Sequence, residues 1–561
     1  MEILSAKNLS FTYPGEDTPA LSNINFSVSE GEFVAVCGAT GSGKSTLLSL
    51  LKREVAPMGK MTGEIFYRST PLSSMNHKDS AFKIGYVTQR PEQQIVTDKV
   101  WHELSFALEN MGLPSDEIRR RVAEVACFFG IEDLFDRRTD ELSGGQKQLL
   151  NLAAVVVTRP DILILDEPTA QLDPIAASDF ITMLKKLHRE LSMTIIIAEH
   201  RLEEIIPASD SLLVMEGGRI IVFGKTRTIA ASLRTNPRML LGMPAAVRIY
   251  SELAVDGEDK DVACPLTVRE GRDYILNNFR QDIKVRKVPE YTHKKDEALS
   301  FRDVYLRYSR DSDDVLRALS LTVYEGELFC IVGGNGSGKT TALLAASGLR
   351  KFYSGSIKVF GRDIRSYKNG SLYSGCLSML PQDVDTLFLC STVADELRDA
   401  GTDVDSLPFE FPKATLDRHP YDISGGEKQL LGLAKLLATH PWLLLLDEPT
   451  KGLDAWYKTK IGDVLRSLTA SGITVVVVTH DIEFAAAYAD RCALFFRGSV
   501  VSSDVPHKFF AENSFYTTSA ARMVRGIYDG AITADDVIAL CRANGRRNES
   551  KRSLLTGVGV T

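Results

Sequence analysis

The sequence predicts an α/β fold written twice: two tandem domains, each built on a mainly parallel sheet covered by helices on both faces. Three observations predict it. First, long stretches of the first half return in the same order in the second. "CGATGSGKST" at Cys37–Thr46 returns as "VGGNGSGKTT" at Val332–Thr341, and "LSGGQKQLLNLA" from Leu142 as "ISGGEKQLLGLA" from Ile423. "LILDEPTAQLD" from Leu163 returns as "LLLDEPTKGLD" from Leu444. Second, the short apolar runs "GEFVAVCG", "DILILDEP" and "MTIIIAEH", echoed by "WLLLLDEP" and "ITVVVVTH", read as strands buried on both faces, as parallel sheets require. Third, helical patterns such as "KSTLLSLLKRE" follow them.

A chain of 561 residues is too long for one core. The repeat places one domain over residues 1–240 and the other over 296–530, with a mixed connector over 241–295. A polar, basic tail over 531–561 is expected to be partly disordered. The stretch from Gln382 to Ser424 is shorter than that from Gln89 to Ser143, so the second copy is trimmed in its middle. Net charge is −7 and the pI about 5.8, so no basic field favours nucleic acid. No apolar run has the length of a membrane span, and "MEILSAKNLSFTYP" does not read as a signal peptide. Eight cysteines without a Cys-x-x-Cys spacing read as small core residues in a reducing compartment. The nine histidines show no metal-ligand spacing.

The chemistry lies at the strand ends. A G-x-x-x-x-G-K-[ST] loop after a strand and before a helix lets backbone N–H groups curl around phosphate oxygens. The first loop comprises Gly38, Ala39, Thr40, Gly41, Ser42, Gly43, Lys44, Ser45 and Thr46. The second comprises Gly333, Gly334, Asn335, Gly336, Ser337, Gly338, Lys339, Thr340 and Thr341. Lys44 and Lys339 are expected to pair with the β- and γ-phosphates of ATP, and Ser45 and Thr340 to place a hydroxyl on Mg²⁺. Asp166 and Asp447 end apolar strands, where a carboxylate faces the metal. Glu167 and Glu448 come next, where a carboxylate can polarise the attacking water as general base. His200 and His480 end later strands at matching positions, suited to the γ-phosphate.

With a glutamine after another strand, "SGGQ" or "SGGE", "DEPT" and "LD" in that order, both halves resemble the ATP-binding-cassette (ABC) ATPases. The resemblance implies an antiparallel β subdomain and a helical subdomain beside each sheet core. It implies that Tyr13 and Tyr308 stack on adenine, and that Gln89 and Gln382 sense Mg²⁺ and the water. Asp173 and Asp454 become the D-loop aspartates. Ser143, Gly144, Gly145 and Gln146, with Ser424, Gly425, Gly426 and Glu427, would each cap the γ-phosphate bound to the other domain. Two cassettes on one chain would then form an intramolecular head-to-tail sandwich around two ATP molecules, both hydrolysed. Glu427 stands where the family usually has glutamine, and a carboxylate there is expected to weaken closure slightly.

"QRPEQQIVTDKVWHELSFALENMGLP" after Gln89 is similar to the corresponding stretch of energy-coupling-factor (ECF) importer ATPases. "LPQDVDTLFLCSTVADELRDAG" follows the scheme more loosely. Ile95, Val96 and Trp101 are expected to supply apolar area for a partner helix, and Glu92, Asp98 and Glu103 charge complementarity. The resemblance implies a peripheral subunit at the cytoplasmic face of the cell membrane, with no transmembrane segment of its own. Its partners would be an integral-membrane coupling subunit and a membrane-embedded substrate-binding subunit for a vitamin, a precursor or a metal ion. Two alternatives are a ribosome-acting twin cassette, which carries a long charged helical linker, and a twin-cassette sugar importer, which usually has one degraded site.

Overall fold

The computed structural model describes residues 1–255, 263–285, 291–293, 296–368 and 370–547. They fall into two compact units: residues 1–247 with 263–266 form the first, and the remaining described residues the second. The strands of the first unit are β1 (Glu2–Thr12), β2 (Leu21–Ser29), β3 (Phe33–Gly38), β4 (Lys60–Tyr67) and β5 (Thr70–Pro71). Then come β6 (Ile84–Val87), β7 (Ile162–Asp166), β8 (Thr194–Ala198), β9 (Ser211–Glu216) and β10 (Arg219–Lys225).

The core sheet runs β10-β9-β3-β8-β7-β6 and is parallel except for the hairpin of β9 and β10. Isoleucine and leucine runs make this possible, because β7 and β8 bury every side chain up to Asp166 and Ala198. An antiparallel sheet, β2-β1-β4-β5, lies beside it. Leu4, Leu9, Phe11, Ile24 and Val28 of that sheet share one core cluster with Val36, Leu47, Ile164 and Ile196.

The second unit repeats the plan with β11 (Glu297–Leu306), β12 (Leu316–Tyr324), β13 (Leu328–Val332), β14 (Ser354–Val359) and β15 (Arg362–Asp363). These are followed by β16 (Leu377–Leu380), β17 (Leu443–Asp447), β18 (Thr474–Thr479), β19 (Arg491–Phe496) and β20 (Ser499–Asp504). Its sheets are ordered β12-β11-β14-β15 and β16-β17-β18-β13-β19-β20. Both units are therefore α/β with an added antiparallel sheet.

The trimmed middle of the second copy has a structural counterpart. The first unit carries helices Val100–Asn110 and Ser115–Phe129 before the helix Gly144–Val156. The second has only Val393–Asp399, followed by single turns at Val404–Ser406, Lys413–Thr415 and Pro420–Asp422. Pro408 and Pro412 lie in that stretch, and proline lacks the N–H that a helix interior needs.

The expected connector contains two helices, Ala245–Leu253 and Val268–Asn278, the latter capped by Thr267, whose hydroxyl accepts from Glu270 N. The expected tail is described as far as Arg547. Helix Ala534–Asn544 buries Val537, Ile538 and Cys541, and Arg546 Nη2 donates to Leu253 O at 2.7 Å. Its apolar face gives it a place in the second unit, with Arg542 near its end donating to Glu252 O at 3.2 Å; residues 548–561 lie outside the described residues. Five of the eight cysteines are buried, but Cys127 is exposed and Cys376 and Cys390 are half-buried. Among the described residues no helix is long and apolar enough to cross a membrane.

Candidate functional site

The loop between β3 and helix Lys44–Leu50 has a shape that only glycine permits at its last turn. Gly43 has φ +96°, and a Cβ there would meet Ala20 O at 2.9 Å; Gly338 repeats this with φ +106° and Val315 O at 2.9 Å. Lys44 is buried and its Nζ donates to Gly38 O at 3.0 Å and Ala39 O at 3.1 Å. Lys339 does the same with Gly333 O and Gly334 O, both at 2.9 Å. Each ammonium is thus folded back over its own loop, where phosphate oxygens would meet it.

Ser45 Oγ donates to Asp166 Oδ1 at 3.0 Å, and Thr340 Oγ1 to Asp447 Oδ1 at 3.2 Å. Burial, with Glu167 beside it, pushes the Asp166 carboxyl up to about 6. Burial likewise pushes Asp447 up to about 6, opposed by its bond from Thr340. A buried carboxylate that resists ionising is poised for a cation, and hydroxyl plus carboxylate is the hard-oxygen set Mg²⁺ takes. Among the described residues no three His, Cys, Asp or Glu side chains cluster as a metal site, and a nucleotide-bound Mg²⁺ needs none.

Glu167 and Glu448 occupy the left-handed region, at φ 47° and 53°. Such strain in a non-glycine residue gathers at functional sites. His200 Nε2 lies 2.8 Å from Glu167 Oε1, and Gln89 Nε2 donates to Glu167 Oε2 at 3.1 Å. In the second unit His480 Nδ1 lies 2.8 Å from Glu448 Oε2. Gln382 is exposed and, among the described residues, makes no matching bond to Glu448. Burial alone would raise the Glu448 carboxyl, but the hydrogen bond and charge of His480 prevail and hold it below its ordinary range.

Tyr13 and Tyr308 stand at the rim, each with its hydroxyl 3.0 Å from the last loop threonine, Thr46 and Thr341 respectively. Asp173 caps helix Pro174–Leu191 by accepting from Ala176 N, and Asp454 caps Ala455–Ala470 by accepting from Tyr457 N, both at 2.8 Å. Ser143 and Ser424 open the signature helices as reciprocal caps. Ser143 N donates to Gln146 Oε1 at 2.9 Å, and Ser424 N to Glu427 Oε2 at 2.8 Å. The unusual Glu427 thus turns an oxygen onto its own helix start, as the amide oxygen of Gln146 does. Lysine loop, Asp166, Glu167, Gln89 and His200 are joined by bonds in one place; Ser143, Ser424, Asp173 and Asp454 sit on other segments as local caps.

Sequence reasoning misassigned Glu103. It is 6% exposed, and its Oε2 accepts from Val96 N, Thr97 N and Thr97 Oγ1 at 3.0, 2.8 and 2.9 Å. It therefore supplies no surface charge: the backbone of Val96 and Thr97 curls over it and takes its lone pairs. Glu396 does the same for Leu389 N and Cys390 N, and also meets Lys435. Glu199 was missed as well; a carboxylate directly before the strand-end histidine in "AEH" was the available signal.

Two units with this loop, carboxylate pair and strand-end histidine define an α/β protein of the phosphate-loop class that handles nucleoside triphosphates. A family model described as ABC transporter matches residues 21–170 and 316–451. A candidate ABC transporter ATP-binding protein of Bacillus thuringiensis subsp. konkukian is 41% identical over 544 residues, covering 95% of this chain and 97% of that one. One of Streptomyces coelicolor is 32% identical over 559 residues, covering 92% and 96%. Among solved structures, CbiO1 of Clostridium perfringens, part of the ABC transporter complex CbiONQ, is 35% identical, with a TM-score of 0.38, over 42% of this chain and 96% of that one. The chain belongs to the ABC transporter ATPase family, with two tandem cassettes.

Proposed function

We propose that this chain is the ATP-hydrolysing subunit of an ECF-type importer, held at the cytoplasmic face of the membrane by an integral-membrane coupling subunit. That subunit would work with a membrane-embedded substrate-binding subunit. The segment after Gln89 carries the proposal. Its sequence matches the ECF pattern in residue type, and Val96, Trp101 and Phe106 turn outward, at 69%, 37% and 36% exposure, while Leu104 and Leu108 pack inward. Glu92 and Asp98 are exposed beside them. An apolar set with acidic neighbours suits a partner helix that carries arginine.

Residues 1–240 and 296–530 would be the cassettes and 241–295 their connector. ATP phosphates would lie on the Gly38–Thr46 and Gly333–Thr341 loops against Lys44 and Lys339, with adenine on Tyr13 and Tyr308. Ser45 with Asp166, and Thr340 with Asp447, would hold Mg²⁺, which offsets phosphate charge when bound; Gln89 and Gln382 would reach toward it. Glu167 and Glu448 would take a proton from the water attacking the γ-phosphorus as ADP departs, with His200 and His480 orienting them. Closure head to tail would set Ser424–Glu427 over the site of Lys44, and Ser143–Gln146 over that of Lys339. The D-loop aspartates Asp173 and Asp454 would sit at the seam. A single chain raises the effective concentration of each half for the other.

The experiment is purification of the tagged chain from solubilised membranes. Co-purification of an integral-membrane protein, lost in Trp101→Asp, is the expected result; association with ribosomes or DNA instead would overturn the proposal.

A further inference from the structure

We propose that Glu199 is a positioning residue of the first site alone. It holds the His200 amide and the Thr169 turn, so that Glu167 keeps one oxygen for His200 and the other for Gln89. This rests on reading Glu167 and Glu448 as general bases.

Glu199 follows β8 and is 2% exposed. Its Oε1 accepts from Thr169 N at 2.8 Å and Thr169 Oγ1 at 2.6 Å, and its Oε2 accepts from His200 N at 3.0 Å. Its counterpart in the second unit is Thr479, the last residue of β18, whose Oγ1 accepts from Asp481 N at 2.9 Å. With no carboxylate there, the histidine amide turns to the base itself. His480 N donates to Glu448 Oε2 at 3.3 Å, the same oxygen that meets His480 Nδ1. The backbone frames match: Glu167 N donates to Ala198 O at 2.9 Å and Glu448 N to Val478 O at 2.8 Å. Thr450 is buried as Thr169 is. The difference therefore traces to the side chain at 199 or 479.

Burying a carboxylate is unfavourable unless its lone pairs are filled. Glu199 has three donors, and all three belong to the two segments that carry Glu167 and His200. Threonine serves the second strand end at no such cost. What the carboxylate adds is the fixing of those two segments against each other, which leaves Glu167 Oε2 open to Gln89. Groups that orient a reacting residue commonly affect turnover more than substrate affinity.

The test is steady-state ATP turnover of the full chain, with a double-mutant cycle. Glu199→Gln keeps the shape but offers one acceptor oxygen in place of two. Measured in a Glu448→Gln background, where the first site alone keeps its base, the expected result is a fall in kcat of about tenfold, with KM for ATP moving by less than about twofold. The loss should be non-additive with Gln89→Ala and additive with Gln382→Ala. Thr169→Val withdraws a single donor and should give a smaller loss of the same kind, so it decides the question should Glu199→Gln fail to fold. Unchanged kcat, a rise in KM at constant kcat, or additivity with Gln89→Ala overturns the proposal. Full activity in Glu167→Gln would sink the general-base reading; a slowed Glu167→Gln beside a fully active Glu199→Gln sinks this inference alone.

Discussion

One carboxylate holds the proposed docking segment in shape, and its removal has a calculable effect. Glu103→Ala takes the acceptor from Val96 N, Thr97 N and Thr97 Oγ1. The hydroxyl retains Lys99 O at 3.1 Å, so the loss falls on the two amides. Bonds to a charged acceptor are worth about 1.5–3 kcal/mol each, and the half-exposed amides recover part of this from water. A loss of about 2–4 kcal/mol is expected, confined to residues 94–100. Global unfolding of a chain with two units is not two-state, so the informative assay is amide hydrogen exchange read by mass spectrometry. At about 1.4 kcal/mol per decade, protection of these amides should fall about 30- to 1,000-fold. Basal ATP turnover should stay near that of the parent, because Glu103 touches none of the phosphate-loop residues, while capture of the membrane partner is lost. Exchange within about threefold of the parent, or collapse of basal turnover, would refute the reasoning.

Separate Glu167→Gln and Glu448→Gln chains should each hydrolyse ATP more slowly than the parent; full activity in either contradicts the claim that both sites turn over. Asp166 and Asp447 carry pKa values raised by burial, so the folded protein holds protons the unfolded chain would release. Their cost to stability is therefore absent below about pH 4, grows through the window up to about pH 6 and is full above it. Asp447→Asn should stabilise the nucleotide-free second unit at pH 7.5, by at most about 3 kcal/mol, raising the temperature of that unit's own transition, and leave it nearly unchanged at pH 4; an equal shift at both values refutes this. Glu427→Gln keeps an oxygen for Ser424 N, so thermal stability should move by less than about 0.5 kcal/mol, whereas Ser424→Ala should cost about 1 kcal/mol by loss of the cap. Scanning calorimetry of both variants separates the two.

How much of this could be read from the sequence depends on whether spacing or tertiary folding decides a residue's place. The phosphate loops, Asp166, Glu167 and their second-copy partners were legible because a buried strand must end where its apolar run ends, and the next residue is then delivered to the sheet edge. Both sheet cores followed from the same runs. Glu103 was not legible: a carboxylate in the first turn of a helix looks like a solvated charge, and only the curl of Val96 and Thr97 over it turns it inward. Its repetition in Glu396 was visible as the shared "DEL" and "HEL" contexts, but not its burial. The shortened middle of the second copy was legible as a length, while the loss of one particular helix followed from where Pro408 and Pro412 fall. Helix Ala534–Asn544 was not told apart from the basic tail, whose Arg542, Arg546 and Arg547 donate to the carbonyls of Glu252, Leu253 and Phe279.

The two sites share one backbone plan and differ in which groups fill the base's lone pairs. Glu167 is bonded by two different side chains, on the glutamine segment and on the histidine turn, so a shift of either segment changes its surroundings. Glu448 is bonded at one oxygen by one residue's ring and amide, and its turn is braced by Lys458 on Asp481 at 2.5 Å. The segment after Gln89 also carries the outward-facing Val96, and Gln94 ties it to the core, its Nε2 donating to Tyr86 O at 2.9 Å. A pull on Val96 thus has a short covalent route to a group that touches Glu167. Among the described residues of the second unit, Gln382 makes no such bond. Displacement of the docking segment should therefore alter the first site's turnover more than the second's. Cross-linking that segment to its partner, followed by comparison of Glu448→Gln and Glu167→Gln chains, would show the inequality; equal responses would break the link between the glutamine contact and coupling.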